Sequence, residues 1–301
     1  MLITPAAIAA LQTSFSTQFR AAYGDAAIWH DQLSTVVPSS TRSNTYGWMQ
    51  RLPQMRQWLG PRVLQNVSSS VYTLTNEPYE LTVAVDRDDF EDSNLGTYAP
   101  LMSEMGRQAR KWPDGLCRTA LQAGATTGIG FDGLSFFNAA HPIDPAGNQS
   151  NIFAATPLTP ANYGDVREAM MSYTGEDGLP LGVMPDLLIV PPQLERQARE
   201  IINSTIIADP GGVNAGVSNV LQGSARILVV PELANEPARW YLADTSKAIK
   251  PLVFQLRKSP ELVAKTSPTE DNLFFDRQLI WGVDARGSVG YGLWFLMARC
   301  N

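Results

Sequence analysis

Residues 71–124 constrain the rest of the chain. Val71–Leu74 reads as a strand. In 79–85, Tyr79, Leu81, Val83 and Val85 fall on one face and Glu80, Thr82 and Ala84 on the other, the period of a half-buried strand. A charged turn follows, Asp86 to Asp92. Beyond it Leu95, Tyr98, Met102, Met105, Ala109, Trp112 and Leu116 recur at alternating intervals of three and four, one continuous apolar helix stripe. Asp92 or Ser93 is placed to cap this helix, and the preceding acids suit the positive end of its dipole. From Asn94 to Ala123 it would run ~45 Å at ~1.5 Å per residue. Pro113 lacks an N–H and crowds the preceding turn, which predicts a kink or break near Trp112. A strand feeding so long a helix is the backbone of a flat, extended protein.

Composition narrows what such a protein does. The 301 residues are 44% hydrophobic and 17% charged, enough for a real core and against disorder. So low a charged fraction points to surface covered by other copies of the chain. The net charge of −6 is spread without blocks, and no basic stripe stands out along the sequence, which argues against a sequence-specific nucleic-acid binder. Cys117 and Cys300 read as buried thiols, since neither belongs to a C-x-x-C pair. His30 and His141 are the only histidines, which limits imidazole chemistry. The N-terminus lacks the basic region of a signal peptide, and no window approaches the ~18 apolar residues of a membrane span. The expected setting is a cytoplasm-like compartment, or exit from the cell without the secretory route.

Around the central stretch the chain divides into segments. Thr4-Pro5 signals a helix start, and Ile8, Leu11, Phe15 and Phe19 give it an apolar face up to about Ala22. An arm this short is expected to pack on another part of the fold or on a neighbouring subunit. Residues 28–40 read as irregular. Residues 44–60 place Trp48, Met49, Arg51, Met55, Arg56 and Trp58 among Gly47, Pro53 and Gly60, too interrupted for a long element and rich in residue types enriched at interfaces. With 62–85 returning as two strands separated by Asn76-Glu77-Pro78, this region reads as a β excursion projecting from the body. Residues 126–145 form a loop holding a literal G-x-G-x-x-G at Gly128, Gly130 and Gly133. The dinucleotide fingerprint needs a strand before it and a helix after it; here a helix precedes and a Phe-rich loop follows. His141, with Asp132 and Asp144 nearby, reads as a hydrogen-bonded loop histidine rather than a metal or acid–base centre.

Thr159-Pro160 opens a further helix to about Tyr173, and Leu187–Val190 between prolines reads as a strand buried on both faces. Residues 193–203 are helical with Leu194, Ala198, Ile201 and Ile202 inward, 209–223 form a flexible loop, and Arg226–Pro231 is a second buried strand. Together 131–240 predict a compact α/β lobe. The remainder turns to β, with strand candidates at 240–243, 251–255, 262–266 and 279–283. A last apolar strand at 290–298 is expected to pair centrally.

No G-x-S-x-G elbow, Walker motif, H-E-x-x-H or Cys/His set is present. Asp86, Asp88, Asp89, Glu91 and Asp92 form the densest carboxylate cluster, but without the Gly and final Glu of a calcium loop it reads as helix-terminal charge and inter-subunit salt bridges. No catalytic, cofactor or metal residues are expected. The candidate assembly residues are Trp48, Arg51, Arg56 and Trp58 in the excursion and Arg87, Asp88, Asp89 and Asp92 in the acidic turn.

Several segments resemble the major head subunit family of Mu-like phages and prophages. They include residues 39–48 (Ser-Ser-Thr-Arg-Ser-Asn-Thr-Tyr-Gly-Trp), Trp58-Leu59-Gly60, the long run from Arg87 to Pro100, Glu104-Met105-Gly106-Arg107, Phe131-Asp132-Gly133 with Phe136-Phe137, and His141-Pro142. Later matches are Lys250 to Gln255, Pro260 to Ala264 and Gly290 to Trp294, so the resemblance spans nearly the whole chain. It implies an α+β fold of the Hong Kong 97 type. Its expected parts are an N-terminal arm (1–40), an extended β loop (41–90), a peripheral domain with a spine helix (91–130), an axial domain (131–240), and a return to the peripheral sheet (241–301). It implies a structural major capsid protein without enzyme activity, assembling as hexamers and pentamers into an icosahedral shell around double-stranded DNA. The implied partners are other copies, portal, scaffold or protease and decoration proteins, and packaged DNA through non-specific contact, with no membrane. The implied locations are the virion capsid and, during assembly, the host cytoplasm. Residues 41–85 contain no lysine, so the Lys–Asn cross-link of some such capsids is not carried over. A nanocompartment shell of the same fold is the alternative, and an enzyme using the 128–144 loop a more distant one.

Overall fold

The computed structural model describes residues 4–49, 69–91, 98–143, 147–175, 178–207, 216–267, 273 and 275–301. Helix α1 (Pro5–Asp25) begins where Thr4 accepts a hydrogen bond from the Ala7 amide, and it buries Ile8, Leu11, Phe15 and Phe19, the stripe read from the sequence. The arm packs within its own chain. Its apolar face lies against α4 (Tyr98–Ala123) and against Val85, Trp281 and Val283 of the sheet below, with Phe15 edge-on to Trp281 at 5.0 Å.

The expected irregular stretch 28–40 is instead ordered. It forms α2 (His30–Leu33) and β1 (Ser34–Pro38), and β1 pairs in parallel with β13 (Leu252–Lys265), more than two hundred residues on. Local pattern cannot show a partner at that separation. The excursion forms a hairpin of β2 (Ser43–Met49) and β3 (Ser69–Thr75), and β4 (Glu77–Asp86) follows after a single residue. The first sheet runs β1-β13-β14-β4, where β14 is Gln278–Tyr291. The acidic stretch is not a turn but a short helix, α3 (Arg87–Glu91).

Of the kink or break expected near Trp112, the break does not occur: helix α4 continues through Pro113. Tertiary contacts hold both sides of the proline. The Trp112 ring lies between Tyr79 (5.1 Å) and Phe254 (5.5 Å), and the next residue, Asp114, is buried and fastened to the chain at α2. Packing of this kind outweighs the single hydrogen bond that proline removes.

The second lobe contains β5 (His141–Ile143), β6 (Gly147–Gln149), β7 (Ile152–Phe153), α5 (Pro160–Met171), β8 (Leu187–Val190), α6 (Glu195–Asn203), β9 (Ile206–Ile207), β10 (Val217–Ser218), β11 (Arg226–Val229), β12 (Trp240–Ala243) and β15 (Met297–Cys300). Its five-stranded sheet has the order β11-β8-β12-β15-β7. Strand β8 is buried throughout, as its continuous apolar run requires, and Ala198, Ile201 and Ile202 of α6 face inward as expected. Strand β11, expected to be buried, is a half-exposed sheet edge. The chain's last strand, β15, is an interior strand between β12 and β7, but the expected single strand 290–298 is divided among the end of β14, a 3₁₀ turn at Trp294–Leu296 and the start of β15. Residues 240–301 are therefore shared: β13 and β14 belong to the first sheet, β12 and β15 to the second.

Candidate assembly surfaces

The β2–β3 hairpin is fixed at its base by a few polar groups. Gln255 of β13 is fully buried; its side-chain oxygen accepts from the Tyr46 hydroxyl at 2.7 Å and its amide donates to the Leu74 carbonyl at 3.2 Å. The Tyr291 amide donates to the Tyr72 hydroxyl at 3.2 Å. Tyr72 approaches so closely because Gly290 has no side chain: a Cβ there would lie 2.7 Å from that hydroxyl oxygen. At the open end, Trp48 pairs with Ser70 in the ladder, and its side chain lies outside the described residues, as do Arg51, Arg56, Trp58 and Asp92.

The acidic helix α3 is tied into its own chain. The Arg87 amide donates to the Arg277 carbonyl, the Arg277 guanidinium donates to Asp88 at 2.5 Å, and the Tyr98 hydroxyl donates to Asp89 at 2.5 Å. That bond to Asp89, followed by burial, pushes the Tyr98 hydroxyl pKa up. The structure thus brings Arg87, Asp88 and Asp89 to the joint between β4, β14 and α4. Asp88 remains more than half exposed. Among the described residues no group of three or more His, Cys, Asp or Glu side chains is arranged to hold a metal ion.

Both histidines are structural fastenings. The Asp114 carboxylate accepts from the Trp29 amide (3.1 Å), the His30 amide (2.8 Å) and His30 Nδ1 (2.7 Å), closing the joint between the arm and α4. His141 lies flat on Trp294 at 4.2 Å, with Nδ1 2.5 Å from Asp132 and Nε2 3.1 Å from the Asn151 side-chain oxygen. Asp144 lies outside the described residues. Of the glycines in the G-x-G-x-x-G, Gly128 is a packing residue, since a Cβ there would fall 1.9 Å from the Tyr291 hydroxyl oxygen, and Gly133 turns the chain at φ +78°; no helix follows directly for a phosphate to cap. Burial pushes the Cys117 and Cys300 thiols up, so both are poor nucleophiles.

Apolar surface remains open to solvent. Val220 is 90% exposed, Phe275 73% and Ile206 66%, and a cleft of 560 Å³ between α5 and α6 is walled by Leu158, Pro160, Ile201, Ile206 and Ile207. A second groove, of 290 Å³, runs beside Trp112 between α4 and Tyr79, Leu81 and Val283.

The described residues form a four-stranded and a five-stranded sheet, the β2–β3 hairpin and the 26-residue helix α4. The family model described as Mu-like prophage major head subunit gpT matches residues 8–157, 149–233 and 234–301. The chain belongs to the Mu-like major head subunit family. The major capsid protein of Escherichia phage Mu is 33% identical over 294 residues, 98% of this chain and 73% of that protein. The chain of the bacteriophage JBD30 procapsid is 32% identical with a TM-score of 0.61, covering 99% of this chain and 75% of that one. A virus-like particle from Pyrococcus furiosus shares the fold alone, at 12% identity and a TM-score of 0.55 over 96% of this chain and 98% of that one. The chain is thus a major capsid protein with the Hong Kong 97-type fold. Among the described residues no helix of this head subunit is long and apolar enough to cross a membrane.

Proposed function

We propose that this head subunit assembles as hexamers and pentamers into an icosahedral shell that encloses double-stranded DNA, forming in the host cytoplasm and performing no catalytic step. The observation that carries the reading is the match to a procapsid chain along 99% of the sequence, through both lobes and the hairpin. A closed shell needs several heterologous contacts per subunit, and each can be weak because many act together. Trp48, Arg51, Arg56 and Trp58 on the excursion, with Arg87, Asp88, Asp89 and Asp92 at its root, are the proposed assembly residues. Residues 1–40 serve as the arm, 41–90 as the extended loop, 91–130 and much of 241–301 as the peripheral domain, and 131–240 as the axial domain. A JBD30 capsid is decorated with minor capsid protein trimers, and a decoration protein of that kind, a portal and a scaffold or protease are the further proposed partners. Electron microscopy of the purified chain tests this: rings, tubes or shells are expected, and a strictly monodisperse monomer overturns it. Replacing Trp48 and Trp58 by Ala should leave a folded chain that assembles poorly; normal shells from that variant would remove the loop from the interface.

A further inference from the structure

The shell reading leaves open which face of the subunit meets the packaged polyanion. No run of basic residues stands out along the sequence, yet the winding of α4 creates one. Arg107, Lys111 and Arg118 are separated by four and seven residues, and at ~100° per residue they fall within about 40° of one another around the helix. They span roughly 16 Å along its axis at ~1.5 Å per residue. The line borders the buried face of the helix: Met102, Met105, Ala109 and Pro113 lie on the far side, but Asp114 and Leu121, both buried, fall within about 80° of it. Arg107 and Lys111 are exposed, Arg118 is half-buried, and between them Gly115 leaves open space, with no atom within 4 Å of where its Cβ would be.

Charge balance on the helix favours cations. Against Arg107, Arg110, Lys111 and Arg118, α4 carries two carboxylates, Glu104 and Asp114, and the second is buried and accepts from the Trp29 and His30 amides. Of the three cations in the line, only Arg107 has a carboxylate partner among the described residues, Glu104 at 3.3 Å. The line is not a helix-dipole device either, because the last turn of α4 carries no basic residue. Three fixed cations in a row on a chain of net charge −6 are poorly explained by fold stability.

We infer that the line Arg107–Lys111–Arg118 on α4 is the surface that contacts the phosphate backbone of double-stranded DNA, without reading sequence. This inference rests on the shell reading. The recognition is electrostatic: B-DNA presents one charge per ~1.7 Å of axis, so side-chain cations spaced along one helix find phosphates at any register. Each phosphate neutralised contributes a slope of about −0.9 to the log–log dependence of affinity on salt, so three contacts weaken binding roughly 40-fold between about 50 and 200 mM salt.

The test is fluorescence anisotropy of a labelled random-sequence DNA duplex titrated with the purified full-length chain across that salt range. The variants are R107Q/K111Q/R118Q, the single K111Q, and E104Q. The triple variant should bind more weakly at low salt with a slope shallower by about 2–3, and K111Q by about 1. E104Q, which frees Arg107, should bind more tightly, an outcome that misfolding would not produce. Shells of normal appearance from the triple variant, with DNA binding lost, would separate this inference from the shell reading. Unchanged affinity and slope would overturn it. So would intact DNA binding with failed assembly, which would make the line a contact between copies.

Discussion

Gly106 of α4 lies directly against the Phe19 carbonyl of α1: a Cβ at Gly106 would sit 2.5 Å from that oxygen. The arm therefore touches the long helix backbone to backbone at this point, and the contact is rigid because the obstructing atom is main chain. Gly106→Ala should push the helices apart. Overpacking of this kind costs about 1–3 kcal/mol, against a helix-propensity gain of roughly 1 kcal/mol, so the expected net effect is a loss of up to about 2 kcal/mol. A denaturant midpoint at or above that of the parent would show that α1 does not dock there.

Gln255 joins the hairpin to the body. Gln255→Leu keeps the volume but removes the bonds that Gln255 makes to the Tyr46 hydroxyl and the Leu74 carbonyl. The loss should be about 1–3 kcal/mol, the cost of two hydrogen bonds at a buried side chain. Because these bonds sit at the hairpin base, amide exchange should accelerate in β2 and β3 more than in β8 or β12. Uniform acceleration across the chain would mean that Gln255 supports the whole fold rather than the hairpin.

What the sequence shows well are the elements whose burial is set by local period. The α1 stripe, the buried run of β8 and the inward residues of α6 are all of this kind. What it hides depends on distant partners. Strand β1 looks irregular because its parallel partner is β13, and Pro113 looks like a break because nothing local reveals Tyr79 and Phe254 around Trp112. Gln255 sits at the end of an apolar run and reads only as a strand residue. Gly290 and Gly292 were the visible signal of close approach, but the atoms approaching, the Tyr72 hydroxyl and the Pro251 and Lys250 carbonyls, come from other elements. The carboxylates of α3 read as assembly charge; Asp88 and Asp89 also have partners within the chain, Arg277 and Tyr98, too distant or too ordinary in sequence to be paired by eye.

Asp114 is expected to matter more than its place beside a proline implies. One of its oxygens accepts from two amides and an imidazole nitrogen. Asp114→Ala leaves all three donors buried without an acceptor, a loss of about 3–5 kcal/mol. Asp114→Asn retains an oxygen at that point and should lose less. Thermal unfolding of the two variants checks the order; equal stability for Ala and Asn would mean that the donors find other partners.

Acid should weaken the edge of the second sheet through Asp186. Burial by itself raises its pKa, but the Thr245 amide and hydroxyl at 2.6–3.0 Å and the Arg226 guanidinium at 3.1 Å outweigh burial, and the net direction is downward. A carboxyl whose folded value lies below its unfolded value binds protons more readily when unfolded. Its stabilisation is present above the unfolded value and is lost as pH falls through the folded one. Asp186→Asn removes the titrating group, so the variant should be less stable than the parent at neutral pH and the gap should narrow in acid. Unfolding midpoints measured from neutral pH down to the carboxylate range decide it. A gap that stays constant with pH would mean that Asp186 acts at this edge through its shape and hydrogen bonds alone, not through its charge.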